Sequence, residues 1–355
     1  MKLKSKYILG VMSGTSLDGV DIAYVKISQT ADDYQFKIIQ TDTIPYAKKW
    51  KSNLKNGIHL NEEELKKLDT SYGIYLGKIL KNFIEENNIK GLDFIASHGH
   101  TIFHNPTNKY TLQIGNNPEI ATITGYKTIC DFRVQDVALG GQGAPLVPIG
   151  DELFFSEYDY CLNLGGFANI SYKEKNNRVA FDICPVNIVL NHFAEKLNLP
   201  FDNQGKIASN GKINSALLNE LNSLTFYTTK KPKSLGYEFV LNSIFPIINK
   251  YNLEVKDFLR TFVEHIALQI ANKIDSDSKK SMFITGGGAF NTFLIERLRS
   301  LTKTKIVIPS ESIINYKEAL VFALLGYLKY EGENNCLKSI TGAQKNHSSG
   351  VIFTP

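Results

Sequence analysis

Two stretches of this chain share one plan. Tyr7–Lys26, YILGVMSGTSLDGVDIAYVK, reads as apolar strand, glycine-rich turn, apolar strand. Tyr160–Tyr172, YCLNLGGFANISY, repeats it around Gly165 and Gly166, with Val179–Ile183 as a third strand. A hairpin opening each half constrains the fold more than any other feature, because it predicts a duplicated unit rather than one long sheet. In the first copy, residues 34–44 read as a third strand and Glu62–Glu86 as a helix with Leu65, Leu68, Tyr72, Tyr75, Leu76, Ile79, Leu80 and Phe83 on one face. Leu92–Ser97 is the next strand, followed by a loop-rich stretch to about residue 150. In the second copy, Val255, Phe258, Leu259, Phe262, Val263, Ile266, Ala267, Ile270 and Ile274 form a helical stripe, and the strand Met282–Thr285 follows it. The repeated order predicts two α/β halves, each with a mixed five-stranded sheet and helices, with a cleft between them. A chain of 355 residues exceeds the size at which one core usually divides, and 43% hydrophobic residues suffice for two. The expected domains are 1–150, rejoined by 330–355, and 151–329, with the Gly140–Gly150 segment GGQGAPLVPIG as a hinge that closes over substrates.

Charge and cysteine usage exclude several classes. The net charge of +5 comes from 40 bases and 35 acids scattered along the chain, a solvated surface rather than a nucleic-acid stripe. Cys130, Cys161, Cys184 and Cys336 show no CxxC spacing, which predicts reduced thiols and a cytoplasmic protein. The opening MKLKSKYILGVMSG has too short an apolar stretch for a signal peptide, and no run approaches the roughly 20 residues of a membrane helix.

The first turn, with Ser13, Gly14, Thr15, Ser16, Asp18 and Gly19, can aim backbone amides and hydroxyls at an anion, or can be a plain hairpin turn. Two such turns facing each other suggest paired phosphate loops, an arrangement that belongs to the class of acetate and sugar kinases, Hsp70 and actin. FITGGGAFN, Phe283–Asn291, runs a strand into three glycines, where backbone can lie against a nucleotide; a turn needing positive φ is the other reading. Neither GxxxxGK[ST] nor GxGxxG is present. Asp182 ends the strand Val179–Ile183 ahead of Pro185, read as the first turn of the helix VNIVLNHF. It is either a general base in a cleft or a helix N-cap. His98, His100 and His104 are spaced for zinc, yet no acid or cysteine sits nearby, so neutral histidines on a solvent-edge loop are expected. His98 or His100 could bind a polar substrate from there.

Seven blocks, in order and over nearly the whole chain, resemble the anhydro-N-acetylmuramic acid kinases: GVMSGTSLDGVD, SHGHTIFHNP, DFRVQDVALGGQGAPLVP, NLGGFANIS, KSLGYE, ITGGGAFN and YKEALVFALLG. The resemblance implies two duplicated actin-like (RNase H-like) domains. It also implies a kinase of murein recycling that opens 1,6-anhydro-N-acetylmuramic acid with water and phosphorylates its O6 from ATP with Mg²⁺. It implies that Asp182 and Glu318 are catalytic, and that Gly14, Thr15, Ser16, Asp18, Gly19, Asp21, Gly165, Gly166, Gly286, Gly287, Gly288 and Asn291 bind the nucleotide. His98, Thr101, Arg133 and Asp136 would contact the sugar, and the metal ligands stay unassigned. Arg133 and Asp136 could instead pair on a loop, and Glu318 could be a first-turn helix residue. The implied partners are ATP and the small anhydro sugar, with neither nucleic acid nor membrane, and a homodimer is possible. The chain departs from the family where DTGPGN becomes DICPVN, bringing in Ile183, Cys184 and Val186, and where KSTGRE becomes KSLGYE, bringing in Leu235 and Tyr237. A related sugar kinase with another acceptor, or a non-catalytic sensor, stays open.

Overall fold

Val20, Ile22, Ala23, Val25 and Ile27 are all fully buried, so the strand after the first turn has no wet face. The computed structural model describes residues 4–30, 33–175, 177–231 and 233–355. In it β1 (Lys4–Ser13), β2 (Gly19–Gln29) and β3 (Tyr34–Pro45) pair antiparallel in succession. Strand β4 (Phe94–Asn105) lies parallel to β1, β5 (Tyr110–Ile114) folds back on its far end, and β6 (Thr128–Cys130) runs parallel to β4. The order is therefore β3-β2-β1-β4-β6.

The second sheet uses β7 (Tyr160–Leu164), β8 (Phe167–Glu174), β9 (Asn177–Pro185), β10 (Ser281–Thr285) and β11 (Lys305–Val307) in the order β9-β8-β7-β10-β11. Its directions match strand for strand: two antiparallel steps on one side of β7 and two parallel steps on the other. This is the duplicated actin-like α/β fold. The first sheet carries more than the expected five strands, because β5 and the edge strand β12 (Val351–Phe353, antiparallel to β6) are added to the shared plan.

The chain divides into two compact units, residues 1–154 with 316–355, and residues 155–315. Most of the helix Glu311–Tyr330 thus goes with the first unit, for a packing reason. A Cβ on Gly10 of β1 would lie 2.0 Å from the Ala319 carbonyl oxygen, and one on Gly326 would lie 2.6 Å from Ala96 Cβ. Only a seam of very small residues lets this helix rest so closely on the first sheet. The Gly140–Gly150 segment lies wholly inside the first unit, with Gly150 in the helix Pro148–Phe154 against Val321; the chain crosses between units at residues 154–155 and 315–316.

Helix Glu62–Glu86 forms where its periodicity places it, started by a capping box between Asn61 and Glu64. It buries Leu68, Tyr72, Leu76, Leu80 and Phe83, each such side chain contributing roughly 1.5–3 kcal/mol. In the second unit, Phe258, Leu259, Phe262, Val263, Ile266 and Ile270 of the helix Val255–Ala271 are buried in the core. The stretch after Ser97 is not loop-rich. Strand β4 continues to Asn105, so all three histidines of HGHTIFH stand in a strand, and His98 and His100 are buried rather than at a solvent edge. The four cysteines are free and buried. Among the described residues, no helix is long and apolar enough to cross a membrane.

Candidate active site

In the first unit, β1 ends at Ser13 and β2 begins at Gly19, leaving a turn whose Thr15, Ser16 and Asp18 are exposed. Its two glycines differ in kind. A Cβ on Gly19 would lie 2.5 Å from the Ile44 carbonyl oxygen of β3, so this glycine serves the sheet. At Gly14 the nearest atom would be Ser16 Oγ at 3.5 Å, so this glycine is not required by packing. Beneath the turn a buried network fixes Ser13, whose hydroxyl lies 2.6 Å from Tyr46 Oη and 2.8 Å from His100 Nδ1, with Tyr46 Oη 2.5 Å from Tyr72 Oη. Sequence reasoning missed this network because its members are far apart in the chain. Asp21 accepts from the Thr43 hydroxyl at 2.7 Å, and burial, with the Asp18 charge adding to it, raises its carboxyl.

The predicted sugar contacts differ in burial and in what holds them. Arg133 donates from Nε to His98 Nε2 at 2.9 Å and from Nη1 to the Gly143 carbonyl at 2.6 Å. His98 is buried and spends Nδ1 on the Gly99 carbonyl at 3.0 Å, so both of its ring nitrogens are engaged within the protein. Burial, then the neighbouring guanidinium, hold its pKa well below the ordinary histidine value. Asp136 is wholly buried, accepting the Gly143 N–H at 2.7 Å and the Thr341 hydroxyl at 2.7 Å. It does not hydrogen-bond Arg133; the two clamp Gly143 from its two sides. Thr101 is half-buried in β4, opposite Gln113. Glu318 lies beyond the first turn of the helix Glu311–Tyr330, so it is not the first-turn residue that the sequence allowed, and its side chain stays accessible although protein crowds round it. Desolvation by the surrounding protein raises its carboxyl, Asp21 adding to the shift and Arg133 and Lys317 opposing it.

In the second unit, Asp182 lies within β9 and caps nothing. The helix Asn187–Glu195 has Val186 at its N-cap, and Pro185 is the last residue of β9, an edge strand where proline is tolerated. Asp182 pairs with Asn169 and Cys184 with Ala168, so Ile183 is an extra residue, a bulge of the kind that re-aims neighbouring side chains. Residues 233–235 dock on this edge: Asp182 N–H donates to the Lys233 carbonyl at 3.1 Å, and Asp182 Oδ2 accepts the Leu235 N–H at 2.7 Å. The carboxylate stays half-buried, raised by desolvation against the pull of the Leu235 amide and Lys233. Neither the bulge nor the Leu235 amide leaves a mark in the sequence.

The turn Gly165–Gly166 is tied to the start of the helix Asn187–Glu195 by Val186 N–H to the Gly166 carbonyl at 2.8 Å and Asn187 Nδ2 to the Leu164 carbonyl at 3.2 Å. Gly286, at φ +81°, would set a Cβ 2.8 Å from Leu164 backbone, and Gly288 would set one 2.7 Å from Leu164 Cβ. Gly287 would meet only Asn187 Nδ2 at 3.7 Å. Packing accounts for the outer two glycines and not for the middle one. Asn291 uses its side-chain oxygen to cap the helix Thr292–Leu301 through the Leu294 N–H at 3.0 Å.

Three buried histidines give the fold an acid limit. His98, His100 and His265 are kept neutral by burial, His100 down to about 4 and His265 down to about 3. Unfolded histidine binds its proton near pH 6.5, so below that value the unfolded chain takes up protons that the folded chain refuses. Stability is expected to be full above pH 6.5 and to fall by about 1.4 kcal/mol per pH unit for each such histidine as the pH drops towards 5. Thermal melts across pH 7.5–5 measure this, and a flat midpoint would contradict it.

The profile of the anhydro-N-acetylmuramic acid kinase family matches residues 6–355. The anhydro-N-acetylmuramic acid kinase of Mannheimia succiniciproducens is 35% identical over 377 residues, covering 99% of this chain and 100% of that protein. That of Coxiella burnetii is 34% identical over 370 residues, covering 99% and 98%, and that of Haemophilus influenzae 32% over 383 residues, covering 99% of each. Among solved structures, (R)-2-hydroxyglutaryl-CoA dehydratase component A of Acidaminococcus fermentans is 14% identical with a TM-score of 0.47, covering 92% of this chain and 99% of that one. With relatives of the same name at a third identity from end to end and a profile match from residue 6 onward, the chain belongs to the anhydro-N-acetylmuramic acid kinase family.

Proposed function

We propose that this protein is an ATP-dependent kinase that opens 1,6-anhydro-N-acetylmuramic acid with water and phosphorylates the freed O6, giving N-acetylmuramic acid 6-phosphate for murein recycling. Asp182 carries the reading. A half-buried carboxylate of raised pKa, held by one backbone amide beside a bulge, is suited to accept the proton of water attacking C1. Arg133, fixed by His98 and Gly143, is assigned to the sugar, and the raised carboxyl of Glu318 to the reaction centre. Gly14, Thr15 and Ser16 offer open amides and hydroxyls to phosphate, as do Gly165 and Gly166, while Gly287 gives a nucleoside a surface without side chain. When bound, Mg²⁺ neutralises charge on the transferring phosphoryl group.

Of the departures from the family, Tyr237 is exposed, and the others do not argue against this acceptor. Ile183, Cys184 and Val186 are fully buried in the second core, so they change what packs beneath the loop, not what faces a ligand. Leu235 contributes its backbone N–H, which any residue but proline supplies. Incubation with ATP, Mg²⁺ and the anhydro sugar in ¹⁸O water, followed by mass spectrometry, tests the function. One ¹⁸O in the phosphosugar is expected. Phosphorylation without label would make the protein a plain hydroxyl kinase, and nucleotide binding without product would make it a sensor.

A further inference from the structure

Apart from the groups assigned to catalysis, the first unit buries Asp136, Cys336 and His347 with ligand atoms all within 4.8 Å of one another. Asp136 comes from the short helix Val134–Ala138. Cys336 and His347 face each other across an isolated antiparallel bridge, with Cys336 N–H to the His347 carbonyl at 3.0 Å and His347 N–H to the Cys336 carbonyl at 3.2 Å. Residues directly opposite in such a pair send their side chains to the same face. The three are closed to solvent, at 0%, 2% and 5% exposure.

The hydrogen-bond geometry of His347 makes this cluster more than a packing accident. Its Nδ1 lies 3.2 Å from the Lys345 carbonyl, which can only accept, so Nδ1 carries a proton and Nε2 of the neutral ring presents a lone pair. That Nε2 is buried without a hydrogen-bond partner and lies 3.5 Å from Asp136 Oδ1. With the ring neutral, two acceptors confront each other beside a sulfur atom and away from bulk solvent, an arrangement that a cation relieves. An imidazole that donates its other N–H to a carbonyl is also in the orientation in which metal-bound histidines are held. The Gly143 amide and Thr341 hydroxyl lock the carboxylate in the same way.

We infer that Asp136, Cys336 and His347 bind one thiophilic divalent cation, zinc above all, as a clasp between the C-terminal segment and the Arg133–Gly143 loop. One thiolate, one imidazole and one carboxylate make a zinc donor set, with a fourth position left for water. Binding breaks the Cys336 S–H bond, forms a sulfur–metal bond and releases one proton per ion. The clasp reaches the site through Asp136, which holds the same Gly143 that accepts from Arg133.

The test uses the full chain, stripped with a chelator, given zinc chloride or cobalt chloride and desalted. One ion per chain by elemental mass spectrometry is expected, together with a sulfur-to-cobalt charge-transfer band in the cobalt form. Cys336→Ser should abolish that band, and Cys336→Ser and His347→Gln should each weaken zinc retention at least about tenfold, or some 1.4 kcal/mol. Failure of the unaltered chain to retain an ion, a cobalt spectrum without the sulfur band, or equal retention by the double variant would each overturn the inference, leaving a proton shared between His347 and Asp136. If the variants do not fold, the cobalt spectrum of the unaltered chain decides.

Discussion

Asp182→Asn is expected to lower kcat by about 10²–10⁴-fold, the usual cost of removing a general base, with ATP affinity and thermal stability nearly unchanged. Asparagine keeps the size of the side chain, and its oxygen can still accept the Leu235 N–H that Asp182 Oδ2 accepts at 2.7 Å. What it loses is the capacity to take a proton. Because Asp182 caps no helix, a large loss of stability is not built into the substitution. Steady-state kinetics, calorimetry with ATP and a thermal melt on one preparation separate the outcomes. A variant that keeps its rate but melts far lower would make Asp182 structural.

Gly287→Val should weaken ATP binding about tenfold or more, some 1.4 kcal/mol, without lowering the melting temperature. The contrast with its neighbours gives the test its force. A Cβ at Gly287 finds ordinary contact with Asn187 Nδ2 at 3.7 Å, whereas at Gly286 and Gly288 it would collide with Leu164 at 2.8 and 2.7 Å. Valine at either outer position is expected to destabilise the second unit, and valine at the middle one to block only a ligand. Unchanged ATP affinity by calorimetry would remove Gly287 from the nucleotide site.

The two hairpins and the helices Glu62–Glu86 and Val255–Ala271 were legible because each depends on local periodicity and on turn residues. What was not legible depends on distant partners. His98 and His100 suggested a wet loop, since two histidines rarely fill a buried strand; Arg133 and Ser13 satisfy them there. Pro185 suggested a helix start, and only the place of β9 at a sheet edge lets it end a strand. The family resemblance makes Asp136 a sugar contact, and the sequence alone allows it to pair with Arg133 on a loop. The two Asp136 oxygens are in fact held by Gly143 and by Thr341, the latter far along the chain. Asp182 was found, but its orientation rests on an unpaired Ile183 and an amide in a remote loop, and neither has a residue signature.

The first unit is assembled from residues 1–154 and 316–355, with the whole of the second unit between them in the sequence. A ribosome working along this chain therefore finishes the second unit before the first has all its parts, although it began the first earlier. Domains generally fold as units when their residues have emerged. Until residues 316–355 appear, β1 has no helix resting on Gly10 and β6 has no β12 along its edge. The nascent amino-terminal sheet must wait in that state, offering an apolar face and an open edge to chaperones or to other chains. A premature stop after residue 315 would accordingly spare the most recently made unit and strand the oldest one.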